Sequence, residues 1–170
     1  MRSQQQNSAV CPDCGAPGKI VREDYRFTES GLKNVVLKNI EVIRCGKCGD
    51  APILPAPGKL MRVIALTIAT KPNPLNGEEF RFLRKFIGKS QDELSDIIPV
   101  HKTTISKWEN NEDPIGDQSD RLIRVVAMAL GGLKQDMPEV IERFHSIHAG
   151  KSRSIMSVDV ISGKGEYAAA

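Results

Sequence analysis

The sequence of 170 residues is poor in aromatic side chains and contains no long apolar run. Phe, Trp and Tyr together make up 5% of the chain, so its cores must be built mainly from aliphatic residues. A membrane-spanning helix needs about 20 apolar residues in succession, and no stretch supplies them. Residues 1–8 are mostly polar and lack the apolar centre of a signal peptide. We therefore expect a cytoplasmic protein that does not enter a membrane.

Histidines and net charge are also scarce. The three histidines, His101, His145 and His148, have no nucleophile or carboxylate partner at the spacing of a hydrolytic site, so we do not expect an enzyme. A net charge of +3 and a pI near 8.7 are compatible with nucleic-acid binding but too mild to indicate it alone. With 40% hydrophobic residues, the chain can form one domain or two small ones.

The four cysteines form two matching C-x-x-C-G pairs, Cys11 with Cys14 and Cys45 with Cys48. Two thiolates at this spacing can bind one ion, and the following glycine permits the turn that points backbone N–H groups at sulfur. In a reducing cytoplasm, paired cysteines are more often metal ligands than disulfides. No histidine lies near, so a closed site of four thiolates is predicted to hold one structural Zn²⁺ per chain. Rubredoxin-like redox iron is the alternative.

The stretch between the two cysteine pairs is predicted to be a β-hairpin. Residues 20–28 and 35–44 are rich in β-branched and aromatic side chains, and residues 29–34 supply the turn. A hairpin of this kind brings the two cysteine pairs together. Prolines then mark the end of a zinc-binding domain over residues 1–57.

A bridging helix and a linker are predicted over residues 58–74. Leu60, Ile64 and Ile68 recur at helical spacing, and two prolines within residues 71–74 interrupt the pattern. An all-α domain over residues 75–148 and a flexible tail over residues 149–170 follow. The fold class expected is therefore α+β: a small four-cysteine zinc-binding β-hairpin domain, then an all-α domain of about five helices.

Residues 90–111 are predicted to form two short helices joined by a tight turn. Ser90 and Glu93 have the spacing of a capping box, and Pro99 ends the first helix. Ile105 and Trp108 give the second helix a thin apolar seam. Its other side chains are hydroxyls, amides and ammonium groups, which suit phosphates and base edges in the DNA major groove. The alternative is an ordinary helical hairpin whose polar residues face water.

This segment resembles the helix-turn-helix of Cro- and lambda-repressor-type (XRE) proteins. The residues that match the pattern are Ser90, Gln91, Leu94, Val100, Ile105, Ser106, Trp108 and Glu109. Thr103 and Lys107 are four positions apart and share the outer face, while Gln91 and Lys102 are placed to bind phosphate. The full set of candidate DNA-binding residues is Gln91, Lys102, Thr103, Thr104, Ser106, Lys107 and Asn110.

Three more helices are expected around this pair, over residues 77–88, 119–130 and 138–147. On the first, Arg81, Arg84 and Lys85 cluster toward the outer face, where they contact phosphate or only water. On the second, the expected buried face consists of Leu122, Val125, Val126 and Ala129. The last helix has more apolar residues than one buried face needs. They predict a homodimer seam, because a palindromic operator is bound by a dimer with two-fold symmetry. In the tail, an alternative is that residues 155–161 add a strand to a partner.

The order of these parts resembles the MqsA-type (YgiT-type zinc finger) antitoxins over roughly residues 11–130. The shared features are the two cysteine pairs, the structured insert with its run at residues 36–40, and the XRE domain. The resemblance implies that the zinc domain binds a small ribonuclease toxin and that the dimeric helix-turn-helix represses the shared operon. The family's base-reading asparagine and arginine fall here on Thr103 and Lys107, so the operator sequence does not carry over.

The function predicted is therefore a DNA-binding transcriptional repressor that is the antitoxin of a type II toxin–antitoxin pair. Its expected partners are double-stranded DNA with a palindromic operator, a second copy of the chain and a small ribonuclease toxin. Two alternatives stay open: a freestanding zinc-containing XRE regulator without a toxin, and an iron-binding electron-transfer protein similar to rubredoxin.

Overall fold

The computed structural model describes residues 8–53, 56–133, 154–159 and 164–169, and the fold is α+β. A β-sheet region that carries the four cysteines precedes five helices. The strands are β1 (Ser8–Val10), β2 (Pro17–Arg26), β3 (Val35–Arg44), β4 (Ala51–Pro52), β5 (Ser154–Asp159) and β6 (Lys164–Ala169). The helices are α1 (Pro57–Thr70), α2 (Gly77–Phe86), α3 (Gln91–Ile97), α4 (Lys102–Glu109) and α5 (Asp117–Leu130).

The sheet is organised around the β2–β3 hairpin, which confirms the hairpin predicted between the cysteine pairs. The two strands are antiparallel from Lys19 opposite Arg44 to Arg26 opposite Val36, with one irregularity between Glu23 and Tyr25. The strand order is β1-β2-β3-β5-β6. The short β4 pairs with the end of β3, next to the turn that contains Cys45 and Cys48. On β3, Val35 and Leu37 are buried, and so are Ile40 and Val42; the alternation shifts by one position at Asn39, where the backbone has a positive φ opposite the irregularity in β2.

The expectation of a flexible tail over residues 149–170 is wrong for its two described stretches. β5 runs parallel to β3, with Met156 opposite Val35 and Val158 opposite Leu37, and β6 returns antiparallel to β5. Met156 and Val158 are completely buried. The alternative of a strand added to a partner is also wrong for the described part of residues 155–161: β5 pairs within its own chain, where two alternating apolar side chains complete the core.

The predicted bridging helix is α1, and it packs against both the sheet and the other helices. Leu60, Ile64 and Ile68 are buried on one face, and they belong to the same core cluster as Val35 of β3 and Phe80 of α2. Thr67 lies on the same buried face, and there β6 approaches so closely that a methyl group on Gly165 would lie 2.1 Å from Thr67 Oγ1. One continuous apolar core therefore joins the cysteine-bearing sheet to the helices.

The buried face of α5 differs from the one predicted. Ile123, Ala127 and Met128 are buried, whereas Leu122 is 36% exposed and Ala129 lies on the outside. The buried face also contains an ion pair between Asp120 and Arg124, joined by a 2.5 Å hydrogen bond from Nε to Oδ1. Charged residues ordinarily mark the solvent face of a helix, so the sequence places Asp120 and Arg124 outside. Because both are buried, the observed buried face is shifted by about one residue from the predicted one.

The segment expected to be a linker, between α1 and α2, is fixed by buried polar contacts. The Lys71 ammonium lies 2.5 Å from Glu79 Oε2, and both residues are buried. Arg124 donates to the carbonyl oxygens of Lys71 and Asn73, each at 2.7 Å, and the Leu75 N–H donates to Asp120. Throughout the described residues, each buried side-chain nitrogen and oxygen has a hydrogen-bond partner.

Two expectations fall outside the described residues: the helix over 138–147 and the homodimer seam assigned to it. Within the described ranges, no helix is both long enough and apolar enough to cross a membrane.

Candidate metal centre and nucleic-acid interface

The two cysteine pairs lie in turns at the same end of the sheet. Cys11 and Cys14 occupy the turn between β1 and β2, and Cys45 and Cys48 the turn between β3 and β4. Because β2 and β3 are antiparallel neighbours with Lys19 opposite Arg44, the two turns meet. Gly15 and Gly49 close their turns at φ values of +70° and +105°, in the left-handed region that favours glycine.

The four sulfur atoms have the spacing of a tetrahedral thiolate site. The Sγ–Sγ distance is 3.4 Å from Cys11 to Cys48, 3.5 Å from Cys14 to Cys45 and 3.7 Å from Cys45 to Cys48. All four sulfurs lie within 4.8 Å of one another, and none is in a disulfide. Four ligands at a metal–sulfur distance of about 2.3 Å would lie about 3.8 Å apart. The cluster can therefore hold one metal ion.

Backbone amides favour the thiolate form at this cluster. The N–H groups of Cys48 and Lys47, followed by the neighbouring thiols, lower the pKa of Cys45 from 9.0 to about 6. The pKa of Cys48 is raised instead, chiefly by its contacts with Cys14 and Cys11. Four thiolates close together repel one another unless a cation is present. A bound metal ion would therefore offset the negative charge of the thiolates that the backbone amides stabilise.

The two short helices predicted over residues 90–111 are α3 and α4, and their local signals are present. Ser90 Oγ accepts from the Glu93 N–H at 3.1 Å, and the Glu93 carboxylate accepts from the Ser90 N–H at 2.8 Å, so the predicted capping box is confirmed. Glu93 has a lowered pKa because it accepts that backbone N–H. The α3 helix ends at Ile97, ahead of Pro99, as expected.

Helix α4 is anchored from one side. Ile105 is completely buried, and Trp108 makes an edge-to-face contact with Phe80 at 5.5 Å between ring centroids. Glu109, the last residue of α4, accepts two hydrogen bonds from the Arg84 guanidinium: Nε donates to Oε1 at 2.5 Å and Nη2 to Oε2 at 2.9 Å. Burial alone would raise the pKa of Glu109, but the hydrogen bonds from Arg84 and Gln91 lower it below 4.5. Apolar and charge-assisted contacts together therefore fix the axis of α4.

The candidate DNA-binding residues of α4 lie on its open side. Thr103 and Lys107 are exposed, and so are Lys102 and Asn110, while Thr104 and Ser106 are half-buried. Their present partners are local and weakly held. The Lys102 ammonium pairs with Asp92 at 2.9 Å, and that of Lys107 pairs with Asp113 at 3.3 Å. Exposed ion pairs of this kind contribute about 0–1 kcal/mol, so both lysines can exchange them for another anionic partner at little cost.

Three residues have partners that the sequence did not reveal. Gln91, expected to bind phosphate, donates its amide to Glu109 Oε2 at 2.9 Å. Arg84, expected on the outer face, is buried with Glu109, and Arg81 donates to the Glu109 carbonyl and to Asn110 Oδ1. The i, i+3 and i+4 spacing of basic residues on α2 is equally typical of a solvated face, so the sequence gives no signal for these contacts.

No protein-family model and no curated protein matches the chain.

Proposed function

We propose that this protein is a zinc-stabilised, sequence-specific DNA-binding repressor in which α3 and α4 form an XRE-type helix-turn-helix. The observation that carries the proposal is the division of α4 into two faces. One face is buried through Ile105 and Trp108, and the other presents hydroxyl, amide and ammonium groups to solvent. A rigidly anchored helix with such an outer face fits the major groove, where these groups reach base edges and phosphates.

Lys107 and Thr103 are the base-reading residues in this proposal. They are exposed and stand one helical turn apart, and the nearby Lys102 supplies a phosphate contact. One N–H of the Gln91 side-chain amide donates to Glu109, so only its second N–H is left to contact phosphate. Binding requires a homodimer on half-sites about one helical turn apart, because a single short helix reads too few base pairs.

The metal in this proposal is zinc in a structural role. The donor set is four thiolates, with Sγ–Sγ distances of 3.4 to 3.7 Å for the three closest pairs. Zinc favours such a closed sulfur site, and it would hold the two turns together. Rubredoxin-like iron would suit the same ligands, and a metal analysis of the purified protein separates the two.

The toxin-binding part of the proposal rests on the resemblance to MqsA-type antitoxins. Its support in the structure is two exposed apolar residues at the strands that flank the cysteine turns: Val10, in β1, is 70% exposed, and Ile53, directly after β4, is 39% exposed. We assign this end of the sheet to contact with a small ribonuclease. A regulator without a toxin would lack that partner, and co-purification with the products of neighbouring genes separates the two possibilities.

The DNA-binding proposal is tested by selecting a duplex from random sequence with the purified protein and comparing variants on it. Lys107→Ala should cost about 1–3 kcal/mol on the selected duplex and relax the preference at one base position per half-site. Lys102→Ala should weaken selected and random DNA by similar factors, because phosphates carry no sequence information. Lys19→Ala, on β2 and away from α4, is the matched control. Equal losses on both DNAs for Lys107→Ala would show that α4 does not read bases.

The toxin proposal needs the full chain, because Met156 and Val158 at the C-terminal end complete the core of the sheet. Val10→Asp should abolish binding of the co-encoded ribonuclease while leaving DNA binding unchanged. Leu130→Asp, a change at a 57% exposed apolar residue on α5, is the control. If toxin neutralisation survives Val10→Asp and Ile53→Asp together, the toxin contacts another surface.

A further inference from the structure

A groove of about 520 Å³ lies between the β2–β3 turn and α2. Its walls come from three parts of the chain: the hairpin turn, the first half of α1, and one face of α2. At one rim, the Lys33 ammonium and the Glu78 carboxylate approach to 2.8 Å and connect the turn to α2. The residues that line it are Ser30, Gly31, Met61, Glu78, Arg81, Phe82, Lys85 and Phe86.

The lining combines flat apolar surface with positive charge. Phe82 and Phe86 stack along α2 with nearly parallel rings, 6.4 Å apart between centroids, and Met61 adds a polarisable thioether. Arg81 and Lys85 place two cations on the same face, and Arg81 is also within an ion pair, with its Nε 3.4 Å from Glu109 Oε2. In the described part of the chain, the exposed Lys85 ammonium forms no ion pair and no hydrogen bond. The only acidic residue of the lining, Glu78, is already paired with Lys33.

We propose that this groove binds a small amphipathic anion, a molecule with an aromatic or branched apolar body and one carboxylate, sulfonate or phosphate group. The apolar body would lie against Phe82, Phe86 and Met61, and the anionic group would pair with Lys85 and the outer side of Arg81. The volume falls within the range of about 300–1,000 Å³ that is typical of small-molecule sites. An apolar floor with a few polar groups at its edge is the usual composition of such sites.

The groove is connected to α4 through Arg81. One nitrogen of its guanidinium, Nη2, donates to the Glu109 carbonyl at 3.0 Å and to Asn110 Oδ1 at 2.7 Å, at the C-terminal end of that helix. An anion that draws Arg81 toward the groove weakens these contacts. This consequence rests on the proposed function: if α4 reads DNA, the bound anion changes the affinity for DNA, and the groove is an effector site.

The binding step is tested on the full chain without DNA. The probe is anilinonaphthalene sulfonate, an aromatic anion whose fluorescence rises on apolar surfaces, and the control probe is N-phenylnaphthylamine, which has the same rings and no charge. Lys85→Gln should weaken binding of the sulfonate by about two- to fivefold, the range of one exposed charge contact, and leave the neutral probe unchanged. Lys85→Arg should retain the wild-type affinity, and Lys19→Gln, on β2, should have no effect on either probe.

Two results would overturn the proposal: equal affinity of the wild-type protein for both probes, or sulfonate binding that Lys85→Gln does not change. Phe86→Ala adds a second check, because it should weaken both probes together, with circular dichroism confirming that the variant is folded. For the connection to DNA, the sulfonate should change retention of a selected duplex by the wild type and not by Lys85→Gln. Sulfonate binding without any DNA binding supports the groove and contradicts the repressor assignment instead.

Discussion

Replacing Met156 with alanine tests whether the C-terminal strands belong to the core. The side chain is completely buried on β5, opposite Val35 of β3, and the Met156 N–H donates to the Asn34 carbonyl at 2.8 Å. Truncating a buried methionine to alanine costs about 2–5 kcal/mol, from lost transfer free energy and from the cavity left behind. We expect the upper half of that range, because strands on both sides of β5 hold the backbone and limit collapse.

The measurement is urea unfolding followed by far-UV circular dichroism, with metal and protein concentrations held fixed. Ser157→Ala is the matched control, since this neighbour points to the opposite face of β5 and is half-buried. It should change the free energy of unfolding by less than about 0.5 kcal/mol. An equally small change for Met156→Ala would refute the placement of β5 and restore the expectation of a flexible tail.

Three further predictions concern the metal site and α4. Cys45→Ser should abolish stoichiometric zinc binding, measured by elemental analysis, and lower the unfolding midpoint of helices and sheet together; iron with a visible absorption band would contradict the zinc assignment. Trp108→Ala should destabilise the protein by about 3–5 kcal/mol, measured by denaturant unfolding, because it removes a buried aromatic that packs on Phe80. The lowered pKa of Glu109 implies a stabilisation that is complete above pH 4.5 and lost as the pH falls through the folded-state value. Unfolding between pH 7 and pH 3.5 should therefore show a steeper acid loss for the wild type than for Glu109→Gln, and parallel curves would refute it.

Features that depend on a few neighbouring residues could be predicted from the sequence. The spacing of Ser90 and Glu93 defines a capping box whatever surrounds it, and the structure contains it. The two C-x-x-C-G turns likewise close locally, and a hairpin between them is enough to bring the sulfurs within 4.8 Å. Burial of Ile105 and Trp108 followed from the helical spacing of the only large apolar residues on α4.

Features that depend on distant partners could not be predicted in this way. The face of α5 was assigned from Leu122 and its neighbours because a buried face with Asp120 and Arg124 looks polar in sequence. Only the fold shows that carbonyl oxygens from residues 68–73 accept hydrogen bonds from Arg124 and make its burial tolerable. The strand β5 is short and half polar, so it becomes a strand only beside the exposed edge of β3.

The contacts of Arg124 also determine how the two functional regions are related. The last turn of α1 ends with backbone carbonyls that have no partner inside the helix, and Arg124 donates to those of Ile68 and Ala69 as well as to those of Lys71 and Asn73 beyond it. A buried guanidinium is tolerated only when its donors are satisfied, so any swing of α1 against α5 would break several charge-assisted bonds at once. Since α1 also shares the core of the sheet, residues 71–76 are a fixed junction and not a hinge. If the proposed function is right, a partner bound near Val10 would affect DNA binding by its own volume and charge, without a rotation of the sheet relative to α4.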